Sequence, residues 1–292
     1  MEVKTRTFKE HNYHSVWFDG KTLRQTLDKK KPIEELKFPE FYDVKITNKC
    51  GGGCPYCYQD STLNEEHYPN LLKNFNAYFS PMSENERPFQ IAIGGGEPTS
   101  HPDFLNLLEL SDALGICPNY TTNGMWSLLE DTDKVQALLT YTKRYSGGVA
   151  VSCHPHLDRA WKEAVRMYSS YGIKTNLHVI ISDKPSVDRF VDIFRVFDSM
   201  IDYIVLLPMT CAGRAQPTEL AWDYLVEKMP DTKKIAFGAN FYPYLKLDPG
   251  KFDVSLYEPE IMSGYLDMKD MKLYKSSFNL IEKFAEAIQD GN

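Results

Sequence analysis

Between residues 41 and 208 the chain alternates short runs dense in β-branched and aromatic side chains with longer segments in which apolar residues return every three or four positions. The short runs predict strands over Tyr42–Ile46, Phe89–Ile93, Pro118–Thr122, Gly148–Ser152, Thr175–Ile181 and Tyr203–Leu207. The longer segments predict helices over Glu65–Phe79, Pro102–Leu114, Thr132–Tyr145, Leu157–Tyr171 and Val187–Met200. Strands that alternate with helices build a parallel sheet. Six such units in succession predict an α/β fold, a curved sheet or partial (β/α)6 barrel, with its chemistry on the loops after the strands' C-terminal ends.

The flanks follow other rules. His14–Asp19 and Thr22–Leu27 read as two strands around an Asp19-Gly20 turn, a hairpin expected to serve as a lid or edge. Past Pro208 the rhythm breaks into a helix over Glu219–Met229, short strands over Lys234–Phe237, Ile261–Leu266 and Met271–Tyr274, and a last helix over Ser277–Ile288. The expected division is an N-terminal hairpin over 1–40, a barrel over 41–212 and a small α/β appendage over 213–292.

Composition narrows the function. Forty acidic against 33 basic side chains give a net charge of −7, the wrong sign for bulk nucleic-acid binding. No stretch approaches the roughly 20 apolar residues of a membrane helix, and no secretory signal is visible, so a cytoplasmic location with no membrane partner is expected. Of the six cysteines, three crowd into Cys50-Gly-Gly-Gly-Cys54-Pro-Tyr-Cys57, directly after the first strand of the series. That spacing suits a metal better than a disulfide framework, and the glycines allow the φ > 0 conformations that aim three sulfurs inward. Two centres compete: a structural zinc, which normally takes four protein ligands, and a 4Fe-4S cubane, in which three cysteines leave one iron open to a small molecule.

A second glycine loop, Gly94-Gly95-Gly96-Glu97-Pro98, follows the second strand. It lacks the Gly-Lys-Ser/Thr ending of a phosphate loop and the spacing of a dinucleotide fingerprint. It offers backbone groups unshielded by side chains beside one carboxylate, a seat for a ligand's ammonium group.

The two loops together resemble the signature of the radical S-adenosylmethionine (radical SAM) superfamily, with an aromatic residue before the third cysteine and a GGEP-like segment after the next strand. The resemblance implies that Cys50, Cys54 and Cys57 bind three irons of one 4Fe-4S cluster. The fourth iron would chelate S-adenosylmethionine, whose reductive cleavage gives a 5'-deoxyadenosyl radical that abstracts a substrate hydrogen. Tyr56 would lie near the adenine, and Gly95, Gly96 and Glu97 would receive the methionyl amino group. The family often carries Thr-Asn-Gly and a serine at the next two strand ends, which makes Asn123 and Ser152 further cofactor candidates. Arg159 reads either as a solvated helical arginine or as a partner of the cofactor carboxylate. His178 reads either as a satisfied core histidine or as a catalytic one facing the pocket, and Cys211 either as an inert thiol or as one that reaches the mouth and acts on a substrate radical.

The tail over 258–278 resembles a SPASM or twitch extension but has no cysteine after Cys211; Asn240, Ile261 and Ser276 stand where thiolates are expected. A single-cluster enzyme follows. A peptide or protein side chain is the first substrate class, a small metabolite or nucleoside the second, and a low-potential donor such as flavodoxin or ferredoxin would supply the electron. A non-catalytic zinc or iron-sulfur protein is the alternative of another class.

Overall fold

The computed structural model describes residues 3–216, 218–247, 251 and 263–283. Its first three strands, β1 (Val3–Phe8), β2 (Tyr13–Phe18) and β3 (Lys21–Thr26), make an antiparallel sheet. The Asp19-Gly20 turn takes positive φ at both residues, 49° and 75°, the mirror-image turn that matches the strands' twist. β1 escapes the sequence reading because its pattern, Val-Lys-Thr-Arg-Thr-Phe, is mostly polar.

The hairpin is not a lid over the mouth. Lys174 Nζ, just before a barrel strand, bonds Asp19 at 2.7 Å, Lys4 Nζ reaches the Gly115 carbonyl at 2.9 Å, and Gln90 at the start of another strand donates to Thr22 Oγ1 at 3.3 Å. All three contacts lie at the strands' N-terminal ends, so this small sheet covers the end of the barrel away from the cysteine loop.

The barrel strands are β4 (Phe41–Lys45), β5 (Gln90–Gly94), β6 (Cys117–Thr122), β7 (Gly148–Ser152), β8 (Thr175–Ile181) and β9 (Tyr203–Pro208), each parallel to the next. They are joined by α1 (Leu71–Phe79), α2 (Phe104–Ala113), α3 (Thr132–Tyr145), α4 (Asp158–Ser170) and α5 (Lys184–Phe197). α1 begins six residues later than its periodicity predicts, because Asn70 takes a left-handed φ of 56° and His67 bridges back to Thr47.

Two later strands join the same sheet after α6 (Trp222–Lys228): β10 (Ile235–Phe237) lies parallel to β9, and β11 (Ser263–Asp267) lies parallel to β4, with the short α7 (Tyr242–Leu245) between them in sequence. β12 (Lys272–Ser276) and β13 (Asn279–Lys283) extend it antiparallel. The helix expected over Ser277–Ile288 is therefore corrected: residues 279–283 are strand, and 284–288 lie outside the described residues. The short apolar pair Leu280-Ile281 fits either period, and pairing with β12 decides it. Ile261, at the start of the predicted strand, also lies outside the described residues.

Alternate strand residues such as Val44, Ile93, Val151, Val179 and Leu206 are buried in one core with Phe75, Leu107, Trp161 and Phe190 of the helices. The opposite face carries Asp43, Lys45, Ser152 and His178, which line an interior cavity of about 430 Å³. Among the described residues no helix is long and apolar enough to cross a membrane.

Leu266 of β11 is fully buried in this core. Leu266→Ala should lower the unfolding free energy by about 2 to 5 kcal/mol in denaturant titration, within a single transition, if β11 belongs to the barrel's cooperative unit.

Candidate active site

The pairing of β4 with β5 continues beyond both strands. The Ile46 amide donates to the Gly94 carbonyl at 3.1 Å, Gly96 N–H to Thr47 O at 2.7 Å, and Glu97 N–H to Lys49 O at 2.9 Å. The two loops run so close that a Cβ on Gly95 would overlap the Thr47 carbonyl, and one on Gly96 the Lys49 carbonyl. Gly95 also has a φ of +117°. These glycines are thus required by the approach of two backbones. The amides of Gly96 and Glu97 are committed, and a ligand would meet this segment's carbonyls.

Glu97 is buried, and its carboxylate is held on both oxygens. Oε1 accepts from Thr99 Oγ1 at 2.6 Å and Thr122 Oγ1 at 2.8 Å, and Oε2 from the Asn123 amide at 2.8 Å. Burial pushes its pKa up while these bonds pull it down, and burial wins. The side chain ties the glycine loop to the end of β6, where Asn123 directs its Nδ2 at Cys50 Sγ, 3.7 Å away.

The cysteine loop is anchored by a residue that sequence reasoning missed. Arg214 donates from its main chain to Cys57 O at 3.0 Å, from Nε to Cys54 O at 3.1 Å and from Nη2 to Ser61 O at 2.9 Å, and it pairs with Asp60 at 2.7 Å. Gly213 makes this clamp possible, since a Cβ there would strike the backbone of Cys57 and Tyr58. The available signal was the Gly213-Arg214 pair beyond β9. Two histidines were also missed: His154 Nδ1 lies 3.1 Å from the Tyr56 hydroxyl, and His156 Nε2 lies 2.9 Å from the Gly52 carbonyl.

Ten of the twelve candidate residues line the one cavity: Cys50, Cys54, Tyr56 and Cys57 on the first loop, Gly95, Gly96 and Glu97 on the second, and Asn123, Ser152 and His178 at or near later strand ends. Arg159 and Cys211 are not among them. Arg159 is exposed on α4, and Cys211 is exposed just beyond Met209 and Thr210, which do line the cavity. Asn240 lines it and donates to Thr210 Oγ1 at 3.1 Å, whereas Ser276 ends β12.

The site is poor in mobile charge. Burial pushes the Cys54 thiol up to about 12 and the Cys50 thiol up as well, and it lowers both His154 and His178 to about 4, leaving neutral imidazoles near pH 7. All six cysteines are unpaired. Among the described residues no three His, Cys, Asp or Glu side chains converge on a single ion's position. A cubane requires no such convergence, because each of its irons takes its own sulfur. Three free thiols spread along one wall of a roomy cavity fit that group.

A parallel α/β barrel with a three-thiol loop at the C-terminal end of its first barrel strand defines a cofactor-binding class. A family model of the radical SAM superfamily matches residues 44–195, and the chain belongs to that superfamily. The PqqA peptide cyclase of Gluconobacter oxydans is 27% identical over 95 residues, covering 32% of this chain and 25% of that protein. Streptococcus suis SuiB bound to its precursor peptide SuiA superposes with a TM-score of 0.64 at 14% identity, over 87% of this chain and 64% of SuiB. anSMEcpe with bound AdoMet and a peptide gives 0.56 at 12% identity, over 82% of this chain and 75% of its own. The chain thus spans a quarter of the cyclase and under two thirds of SuiB. At these identities the two solved structures share its fold.

Partial burial lowers both half-buried histidines to about 4 against 6.5 for a free imidazole, so between those values the unfolded chain binds more protons and stability should rise with pH. The melting temperature should fall as pH is lowered from about 7 to about 5. His178→Asn should flatten that slope; an unchanged slope would contradict the burial argument.

Proposed function

We propose that the protein is a radical S-adenosylmethionine enzyme that abstracts a hydrogen atom from a peptide or protein side chain. The observation that carries this reading is the shared cavity, in which three thiols, the glycine-loop carbonyls and the polar ends of β6 and β7 face one space. Cys50, Cys54 and Cys57 would hold a single 4Fe-4S cluster. When bound, the cluster and S-adenosylmethionine would supply the 5'-deoxyadenosyl radical, with an electron from a low-potential donor such as flavodoxin or ferredoxin.

The chain's own part is binding and positioning. Carbonyls of the Gly95-Gly96 segment would accept hydrogen bonds from the cofactor's ammonium group. Glu97, saturated by threonine hydroxyls and the Asn123 amide, would hold that segment rather than act by contact. Asn123 and Ser152 would bond the ribose or carboxylate, and Tyr56, braced by His154, would border the adenine. His178, neutral and two residues into the cavity wall from Ile180, would offer a hydrogen bond on the substrate side. Arg159 and Cys211, both outside the cavity, have no place in this proposal. The peptide assignment draws on SuiB and anSMEcpe, whose structures contain bound peptides, and a cytoplasmic setting suits an oxygen-sensitive cluster.

Anaerobic reconstitution should give brown protein with close to four irons per chain, by the cubane's stoichiometry, and slow release of 5'-deoxyadenosine on adding S-adenosylmethionine and a reductant. Cys54→Ala should lose both; colourless wild-type protein with one zinc would overturn the reading. Arg214→Met should keep the fold by circular dichroism yet bind clearly less iron, because the loop loses the guanidinium's two bonds to main-chain carbonyls and its ion pair with Asp60.

A further inference from the structure

The cavity wall carries two charged side chains that the proposed chemistry does not use, Lys45 and Asp43. Asp43 lies at the middle of β4 and faces the interior. Among the described residues its carboxylate accepts no hydrogen bond and forms no ion pair. Lys45, two residues on and on the same face, directs its ammonium to Asp267 Oδ2 at 3.8 Å. Asp43 is exposed to the open space of this cavity, and the protein mass around it raises its carboxyl to about 6 by partial desolvation. A carboxylate there, without a protein partner among the described residues, is solvated by cavity water that a bound cation can replace.

Its neighbours are aromatic. Tyr265 is the Cα partner of Asp43 across the parallel β11 and β4 pair and so faces the same side. Tyr58 and Phe278 line the same cavity with ring centroids 4.7 Å apart. On its other side the partner of Asp43 is Ala92, whose short side chain leaves the approach open. An anionic group without a protein partner beside aromatic faces is complementary to an organic cation, which gains charge pairing from the one and cation–π attraction from the others.

We propose that Asp43, Tyr58, Tyr265 and Phe278 form a substrate subsite for a cationic side chain, a lysine ammonium or an arginine guanidinium. The assignment to a peptide residue rests on the peptide reading above. The subsite lies on the cavity wall where β11 joins β4 and would anchor a basic residue near the one that is modified.

Equilibrium dialysis on the reconstituted holoenzyme tests this with three probes: the methylamides of Nα-acetyl-lysine, Nα-acetyl-arginine and Nα-acetyl-norleucine, the last keeping the aliphatic stem without the charge. At least one cationic probe should bind tenfold or more tighter than norleucine, and Asp43→Asn should abolish the preference. Tyr58→Leu should weaken the cationic probe several-fold. Equal binding of all three probes, or a preference that survives Asp43→Asn, would overturn the subsite. Formation of 5'-deoxyadenosine without a cation preference would sink the subsite alone, and a cation preference in protein that never cleaves S-adenosylmethionine would sink only the radical reading.

Discussion

The site depends on how closely two peptide backbones approach. Thr47 and Lys49, on the way from β4 to the first cysteine, offer their carbonyls to the amides of Gly96 and Glu97. Any side chain at Gly95 or Gly96 would force the loops apart. Such a stitch fixes the three-thiol loop relative to the glycine loop without relying on a rotatable side chain. Thr47 and Glu97 are buried, which makes the stitch costly to break, since an unpaired buried amide or carbonyl loses about 1 to 3 kcal/mol.

Other contacts extend that rigidity outward. Glu97 carries it to β6 through Thr122 and Asn123, and Asn123 carries it back to Cys50. Arg214 approaches from beyond β9 and holds the far side of the same loop. The cysteine loop is therefore gripped by the first, third and sixth barrel strands' trailing segments, so a loop that looks independent in sequence is fixed by residues more than 150 positions away. Thiols in fixed positions are pre-organised for a rigid inorganic ligand.

The barrel and its cavity were largely legible because their causes are local. Alternation of apolar residues marked all six barrel strands, and strand ends such as Thr122-Asn123 and Ser152 pointed to the residues that line the cavity. What stayed hidden was long-range. Nothing near Arg214 in sequence says that its guanidinium reaches Cys54, and nothing near Arg159 says that its side of α4 turns to solvent. The three-stranded N-terminal sheet shows the same limit: its hairpin was visible from Asp19-Gly20, but which end of the barrel it covers depends on Lys4, Gln90 and Lys174. The last strand was misread because a short apolar pair carries no decisive period.

The place of β11 has a consequence for biosynthesis. The wall beside β4, the strand that leads into the cysteine loop, is built by Ser263–Asp267, more than 200 residues downstream of the thiols. While the chain is still emerging from the ribosome, Cys50, Cys54 and Cys57 are already synthesised but that flank is open to water. A cluster held by these thiols, as proposed, would find its compartment complete only once Asp267 has been synthesised and β11 has paired with β4.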